Sequence, residues 1–383
     1  MNRQGSGCSV AELVRPSVSR PDPDQLAARL SAWLRTVLPA HAEPAVSHAW
    51  VQDANELSGE TVLFDAAWGV PPNRWSRQLA AKLGPLDAGV AVFPSHRLDH
   101  EFKAMRVVLE DGRVPVPAPL WLETDPGPLG APFLVMQRPS GSLVPGVMPY
   151  NLDSWLTEAT AAQRARLQNT TVEVLIKVHG TADPAWRFGS GRSPRTPESA
   201  LVNHVAGQRA YHRWVTARGP DAPIIGRCFD WLDRNWPRRV GETVFGWGDA
   251  RIGNITYEDF TPAAVLGWKL AALGPPELDL GWLIYLHRFF EDLAARAGLP
   301  GLPDFLRRDD VCADYHAMSG YRPKDMDFFT LYAALRYAIV LLRARHRATY
   351  LGLATVPADP DDLIPHRPAL EAMLAGTYWD KVG

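Results

Sequence analysis

The run FGWGDARIGNITYEDFTPAAVLGWKLAALGPPELDLGWL, residues 245–283, gathers the residue types whose spacing can do chemistry. Asp249 stands in a glycine-flanked turn after an apolar stretch, and Arg251 and Asn254 follow it closely. A hairpin is expected at Glu258–Pro262, with a returning strand over Ala263–Leu266. Two strand ends then bring Asp249, Asn254 and whatever follows Leu266 to one edge. A carboxylate that accepts or orients an attacking hydroxyl, beside an amide that offers a hard oxygen to Mg²⁺, is a phosphoryl-transfer arrangement. Alone, the same Asp and Asn describe an ordinary loop turn equally well.

Positioning such a loop takes a sizeable scaffold, and the chain has one. Its 383 residues are enough for two lobes. Apolar residues make up 46% and charged residues 21%, which argues against global disorder. A formal net charge of −2 gives no basic excess to attract nucleic acid or an anionic membrane. The distant Cys8, Cys228 and Cys312 form no disulfide framework. No apolar run is long enough to span a bilayer, and the first residues lack the apolar core of a signal peptide, so a cytoplasmic setting is expected.

Residues 1–24 read as a mobile tail. An amphipathic helix over Gln25–Leu38 carries leucines at four-residue spacing. Glu60–Trp68 and Gln78–Leu83 read as paired strands. A helix over His96–Leu109 should bury Leu98, Phe102, Met105 and Leu109, with Glu101 at the border of that face. Pro115–Leu122 and Pro132–Gln137 read as further strands. The Pro- and Gly-rich Gly141–Pro149 is the candidate boundary between an N-lobe over 25–140 and a helical C-lobe over 151–383, with 141–150 as the connector. In the C-lobe, helices are expected at Ala161–His179, Leu201–Ala217, Cys228–Asn235, Glu277–Ala297 and Phe328–Tyr350. Gly298 and Gly352 stop the last two. The Arg343, Arg345, His346 and Arg347 cluster reads as a solvated helix end rather than a nucleic-acid patch. His179 reads as a satisfied core residue. No zinc spacing and no nucleophile elbow is present.

With these elements in place, the chemistry-bearing run closely resembles the aminoglycoside-phosphotransferase-like kinases. It is most similar to the branch of mycobacterial phosphotransferase-like proteins and of the kinase-like domain fused to some acyl-CoA dehydrogenases. That branch reads approximately W/H-G-D-x-R-x-G-N, a hairpin, A-V-L-D-W-E, then L-G-x-x-x-x-D. The matching residues here are Trp247-Gly248-Asp249-Ala250-Arg251-Ile252-Gly253-Asn254, Ala264-Val265-Leu266-Gly267-Trp268-Lys269, and Leu273-Gly274 with Asp279. The resemblance implies a two-lobed protein-kinase-like α+β fold, a small β-rich N-lobe on a mainly helical C-lobe. It implies ATP and Mg²⁺ as cofactors and a small hydroxyl-bearing molecule as acceptor. It makes Asp249 the catalytic-loop carboxylate with Arg251 beside it, Asn254 a metal ligand and Asp279 a structural acid. Lys82 falls on the strand position that holds the phosphates, and Glu101 on the helix acid that pairs with it. Phe133–Arg138, with Met136 and then Gly141, falls on the hinge that cups adenine. Asn55–Glu60 falls on the phosphate-covering loop.

Two positions depart from the pattern. The second metal acid is Gly267, and the Glu two residues on is Lys269, a local charge change of +3. If the strand continued, both would share one face. Mg²⁺ would lose its main carboxylate and face an ammonium. Three readings stay open on sequence. One is phosphate transfer with weakened or altered Mg·ATP use, Lys269 partly replacing the metal. Another is a repurposed enzyme using Asp249 as acid or base without metal or ATP. The last is a non-catalytic pseudokinase. Mg·ATP is expected to bind weakly or not at all, and Gly267→Asp with Lys269→Glu to improve it; if Lys269 has taken over the metal's work, Lys269→Glu alone should instead destroy ATP binding already present without Mg²⁺.

Overall fold

The computed structural model describes residues 22–52, 60–69, 72–84, 91–95, 97–144, 149–183, 187 and 196–382. Most of the N-terminal tail, most of the Asn55–Glu60 loop and part of the connector therefore lie outside the described residues. Helix α1, Pro23–Val37, starts inside the expected tail: Asp22 caps it, accepting from Asp24 N–H, and Pro23 has no N–H to leave unpaired.

Strands β1 (Ala45–Val51), β2 (Glu60–Trp68), β3 (Trp75–Leu83), β4 (Pro119–Glu123) and β5 (Phe133–Gln137) form a sheet of order β1-β2-β3-β5-β4. Its neighbours pair antiparallel, with Thr61 opposite Lys82 and Lys82 opposite Leu134. The period of two sorts the side chains. Val62, Phe64, Leu79, Ala81, Leu83, Phe133 and Val135 pack under the Leu26, Leu30, Trp33 and Leu34 stripe of α1. Thr61, Leu63, Ala80, Lys82 and Met136 face the other way. The end of β3 is thus buried on both faces, and its only charged side chain there is Lys82.

Helix α2, Leu98–Asp111, crosses that second face. Its buried stripe is Leu98, Glu101, Met105 and Val108, with Ala104 and Val107 alongside. This corrects the expected face: Leu109 is 42% exposed and Phe102 only half-buried. The helix is rotated so that a carboxylate lies within the apolar stripe, because Lys82 waits there as its partner.

The rest is helical. Its helices include α3 (Trp155–Glu158), α4 (Ala161–His179), α5 (Pro197–Thr216), α6 (Pro223–Arg234), α7 (Glu277–Arg296), α8 (Arg308–Ser319) and α9 (Met326–Tyr350); α7, α5 and α6 pack on α9, and α8 packs against α4. A capping box of Thr160 and Gln163 starts α4. Helices α7 and α9 are buried around most of their circumference and form the centre of the lobe. In front of them run β6 (Ser142–Leu143), β8 (Ile255–Glu258) and β9 (Thr261–Val265), with β7 (Val244–Gly246) pairing β10 (Ala272–Gly274).

Two expectations need correction here. No strand continues through 267 and 269. Gly267 has φ of +75° and caps a 3₁₀ turn, Trp268–Leu270, because the Trp268 indole donates to the Val265 carbonyl and folds the chain over. The Arg343 end of α9 is not solvated: Arg343 is buried and its Nε donates to the Ala91 carbonyl at 2.8 Å. His346 likewise donates to the Pro220 carbonyl at 2.7 Å. Cys228 is buried and Cys312 half-buried, both as free thiols. No helix among the described residues is long and apolar enough to cross a membrane.

Candidate active site

A cleft of 410 Å³ opens between the sheet and the helical lobe. Lys82, Glu101, Met136, Asp249, Arg251, Asn254, Gly267 and Lys269 all line it. These expected cleft residues therefore lie in one place, with Asp279 directly beneath, while the expected phosphate-covering loop Asn55–Glu60 lies outside the described residues except for Glu60.

At the inner end, Lys82 Nζ meets Glu101 Oε1 at 3.0 Å, both groups buried. The pair exists because β3 and α2 each turn one charged residue into the same apolar layer. A buried charge needs such a partner, since removing one would strand the other. Glu101 Oε2 is buried without a hydrogen bond among the described residues. Helix α2 is tied to the opposite lobe as well. His100 accepts from Arg97 at Nδ1 (2.6 Å) and donates from Nε2 to the Ala271 carbonyl at 2.7 Å. Burial, with Arg97 adding to it, lowers the His100 pKa, which keeps that neutral donor–acceptor form.

Asp249 is shaped by three neighbours. Its Oδ1 accepts from the Trp282 indole at 2.9 Å, its Oδ2 accepts from Asn254 Nδ2 at 2.8 Å, and Arg251 Nε lies 3.4 Å from Oδ1. Burial acts to raise the carboxyl. The Arg251 charge, the two hydrogen bonds and the Lys269 ammonium outweigh it, so Asp249 sits below the ordinary aspartate range. The loop carrying it is held from below. Asp279 accepts from the Gly248 N–H at 2.8 Å and the Trp247 N–H at 2.7 Å. It also takes a bond from His179 Nε2 at 3.1 Å, while His179 Nδ1 accepts from the Tyr315 hydroxyl at 2.8 Å. Gly248 has φ of +83°, and a Cβ there would strike the Leu270 carbonyl. The Gly248 carbonyl accepts from Arg336 at 2.9 Å, and the same guanidinium lies over the Trp282 ring at 4.2 Å.

Trp282 and Arg336 are positioning residues that the sequence reading missed. Two signals pointed to them: Trp282 follows Asp279 by one helical turn, and Arg336 is a charge in the middle of an apolar helix.

The donor set for Mg²⁺ is short of one carboxylate: position 267 has none, and the Asp249 oxygens each accept a hydrogen bond, while Asn254 donates from its amide nitrogen to Asp249 and keeps its Oδ1 as an oxygen donor. No group of three or more His, Cys, Asp or Glu that could hold a metal occurs among the described residues. Asn254 also fills the space beside Gly267: a Cβ at 267 would lie 2.6 Å from Asn254 Nδ2. Lys269 reaches into the cleft with its ammonium 3.8 Å from the centroid of the Phe93 ring. The far end of the cleft is apolar, lined by Trp282, Leu286, Phe290, Tyr337 and Val340. Glu291 is buried and accepts from Asn151 at 2.7 Å and the Leu302 N–H at 2.8 Å.

Comparison with known proteins agrees with this architecture. The chain is 27% identical over 198 residues to human acyl-CoA dehydrogenase family member 11, covering 49% of this chain and 22% of that protein. It thus spans about a fifth of the length of that curated relative. A Ralstonia eutropha crystal structure assigned as an aminoglycoside phosphotransferase superposes with a TM-score of 0.59 at 20% identity, covering 92% of this chain and 98% of that one. A thermostable mutant of aminoglycoside phosphotransferase APH(4)-Ia, in a ternary complex with AMP-PNP and hygromycin B, superposes with a TM-score of 0.51 at 13% identity, covering 91% and 98%. These structures establish the kinase-like α+β fold. The model of the phosphotransferase enzyme family, APH, matches residues 90–321, well over half of the chain and the part that carries α2, the Asp249 loop and α7. This chain belongs to the phosphotransferase enzyme family.

Proposed function

We propose that the cleft transfers a phosphoryl group from a nucleoside triphosphate to a hydroxyl of a small molecule with an apolar body, with little reliance on Mg²⁺. The observation that carries this reading is the convergence of the Lys82–Glu101 pair and the Asp249–Asn254 loop on one cleft. The nucleotide, when bound, supplies the phosphoryl group. Lys82, oriented by Glu101, holds phosphate oxygens at the inner end. Asp249 orients the acceptor hydroxyl, which forms the new O–P bond as the bond to the leaving diphosphate breaks, and takes its proton at a carboxylate oxygen. Its depressed pKa keeps it ionised for that task near neutral pH. Arg251 and Lys269 add positive charge where a metal would otherwise stand.

The acceptor class follows from the far end. Among the described residues, and apart from Asp249 and Glu101, the charged residues lining the cleft are the cations Lys82, Arg138, Arg251 and Lys269. A polycationic acceptor finds no acidic wall there, whereas an apolar hydroxyl compound finds Trp282, Leu286, Phe290, Tyr337 and Val340.

The expected rescue of Mg·ATP binding by Gly267→Asp with Lys269→Glu is revised on this geometry. A side chain at 267 must displace Asn254 from Asp249, and Lys269→Glu removes the cation that replaces the metal. Calorimetric titration of nucleoside triphosphate with Mg²⁺ and with chelator tests the reading. Binding that persists in chelator and is lost in Lys269→Glu supports it. Binding that requires Mg²⁺ rejects the metal-sparing arrangement, and absence of binding moves the cleft out of nucleotide chemistry.

A further inference from the structure

A lysine is a poor substitute for a metal ion unless something holds its end. Its charge sits on a long flexible stem, and electrostatic help at the phosphates counts only when the charge is already in place. The 3₁₀ turn Trp268–Leu270 fixes the backbone of Lys269. The end of the side chain meets Phe93: the ammonium lies 3.8 Å from the ring centroid, and both residues line the cleft. Phe93 belongs to the stretch 91–95, which forms neither helix nor strand. That stretch is nonetheless fastened. Arg343 Nε of α9 donates to the Ala91 carbonyl at 2.8 Å, and the Tyr211 hydroxyl of α5 donates to the Val92 carbonyl at 2.8 Å. Consecutive carbonyls tied to two different helices restrict the direction of the side chain that follows them, Phe93.

The ring is braced as well as the backbone. Phe93 stacks on Tyr211, with centroids 5.6 Å apart and planes at 21°. Tyr211 stacks in turn on Trp214, its neighbour on the same face of α5, at 6.0 Å and 24°. The guanidinium groups of Arg218 and Arg343 lie over Trp214 at 4.2 Å and 5.2 Å. A column of stacked rings, held at its far end by arginines, thus reaches from the helical lobe to the Lys269 ammonium. Attraction to a ring face restrains an ammonium without exhausting it, because the group carries more N–H donors than one face takes up. Resting on the reading of this cleft as a phosphotransfer site, we propose that Phe93 is a positioning residue, which holds the Lys269 ammonium where the phosphates are met. Tyr211 and Trp214 are the support behind it.

Two measurements on the full chain test this, one with no nucleotide present. In protein carrying ¹³C-labelled lysine, the Lys269 Cε–H signal, identified by its loss in Lys269→Met, should lie upfield of the other lysines through the ring current of Phe93. It should return to the ordinary position in Phe93→Leu, which keeps an apolar side chain but no ring, and stay upfield in Phe93→Tyr. Calorimetric titration of ATP in chelator should then show binding weakened about two- to fivefold in Phe93→Leu and restored in Phe93→Tyr. A Lys269 signal at the ordinary position in the wild type overturns the positioning role and leaves the phosphotransfer reading standing. So does ATP binding by Phe93→Leu that equals or exceeds the wild type, or a Phe93→Tyr protein as weak as Phe93→Leu. A wild type that shows the upfield signal and binds no ATP overturns both.

Discussion

Asp249 is saturated with neighbours, and that decides what its replacement does. In Asp249→Asn the Trp282 bond survives and the shape is kept, so the thermal midpoint should move by no more than a few degrees. Turnover should fall about 10²–10⁴-fold, the range for losing a positioned proton acceptor. Phosphoryl transfer measured beside thermal unfolding checks both, and a folded variant of unchanged rate would remove Asp249 from the chemistry. The depressed pKa sets a pH consequence. The folded state favours the ionised form, so Asp249 adds stability above the unfolded value of about 3.9 and loses it as pH falls through its lower folded value. The acid limb of the rate should therefore lie below pH ~4. Gly267→Asp should fold, since Asp tolerates a positive φ better than most residues, but its Cβ pushes Asn254 off Asp249, so the carboxylate it adds comes with the loss of the Asn254 donor and a calorimetric Mg²⁺ titration should show no gain in affinity. The nearness of Asp249 to Asn254 was legible in the sequence because one short turn holds both. The contacts of Asp249 with Trp282, and of its loop with Arg336, were not legible: they arise only when α7 and α9 pack together.

At the scale of elements, α7 acts as the floor of the site. Asp279 in its first turn satisfies two loop N–H groups and an imidazole at once. Asp279→Ala strands all three in a buried setting and should cost about 3–5 kcal/mol, the range for breaking a buried charged partnership. Asp279→Asn, which keeps one acceptor oxygen, should cost less. Chemical unfolding of both variants tests the order, and equal losses would show that volume rather than hydrogen bonding matters there. Helix α4 was readable to the residue, since its capping box marks the start and a glycine follows its end. The apolar face of α2 was not, because apolar periodicity counts a glutamate as outside. Only the partner strand shows that Glu101 belongs within. The turn after Leu266 failed for a related reason. Two residues of strand-like alternation do not reveal an indole that folds the chain back on itself.

Over the whole molecule, His287 and His366 are sealed inside the helical lobe and His204 is half-buried at its edge. Burial pushes His204 and His287 down to about 3 and His366 down to about 4. The native state refuses protons that the unfolded chain accepts below about 6.5. Each group therefore lowers stability by up to about 1.4 kcal/mol per pH unit as pH falls from there toward its folded value. The melting temperature should drop steadily from pH 7 to 5, above the range where carboxylates titrate. A flat profile would mean that the lobe opens to hydrate these rings. The link between α2 and the helical lobe carries a different consequence. His100 sits beside Glu101 and bonds to the carbonyl of Ala271, next to the turn that carries Lys269. Occupancy of either end of the cleft then stiffens an element that the other end also needs ordered, so the second occupant meets less entropy loss. Donor and acceptor become heterotropic partners. Linkage requires that each tighten the other's binding by the same factor, and two titrations, each run with and without the second substrate, measure that factor from both sides.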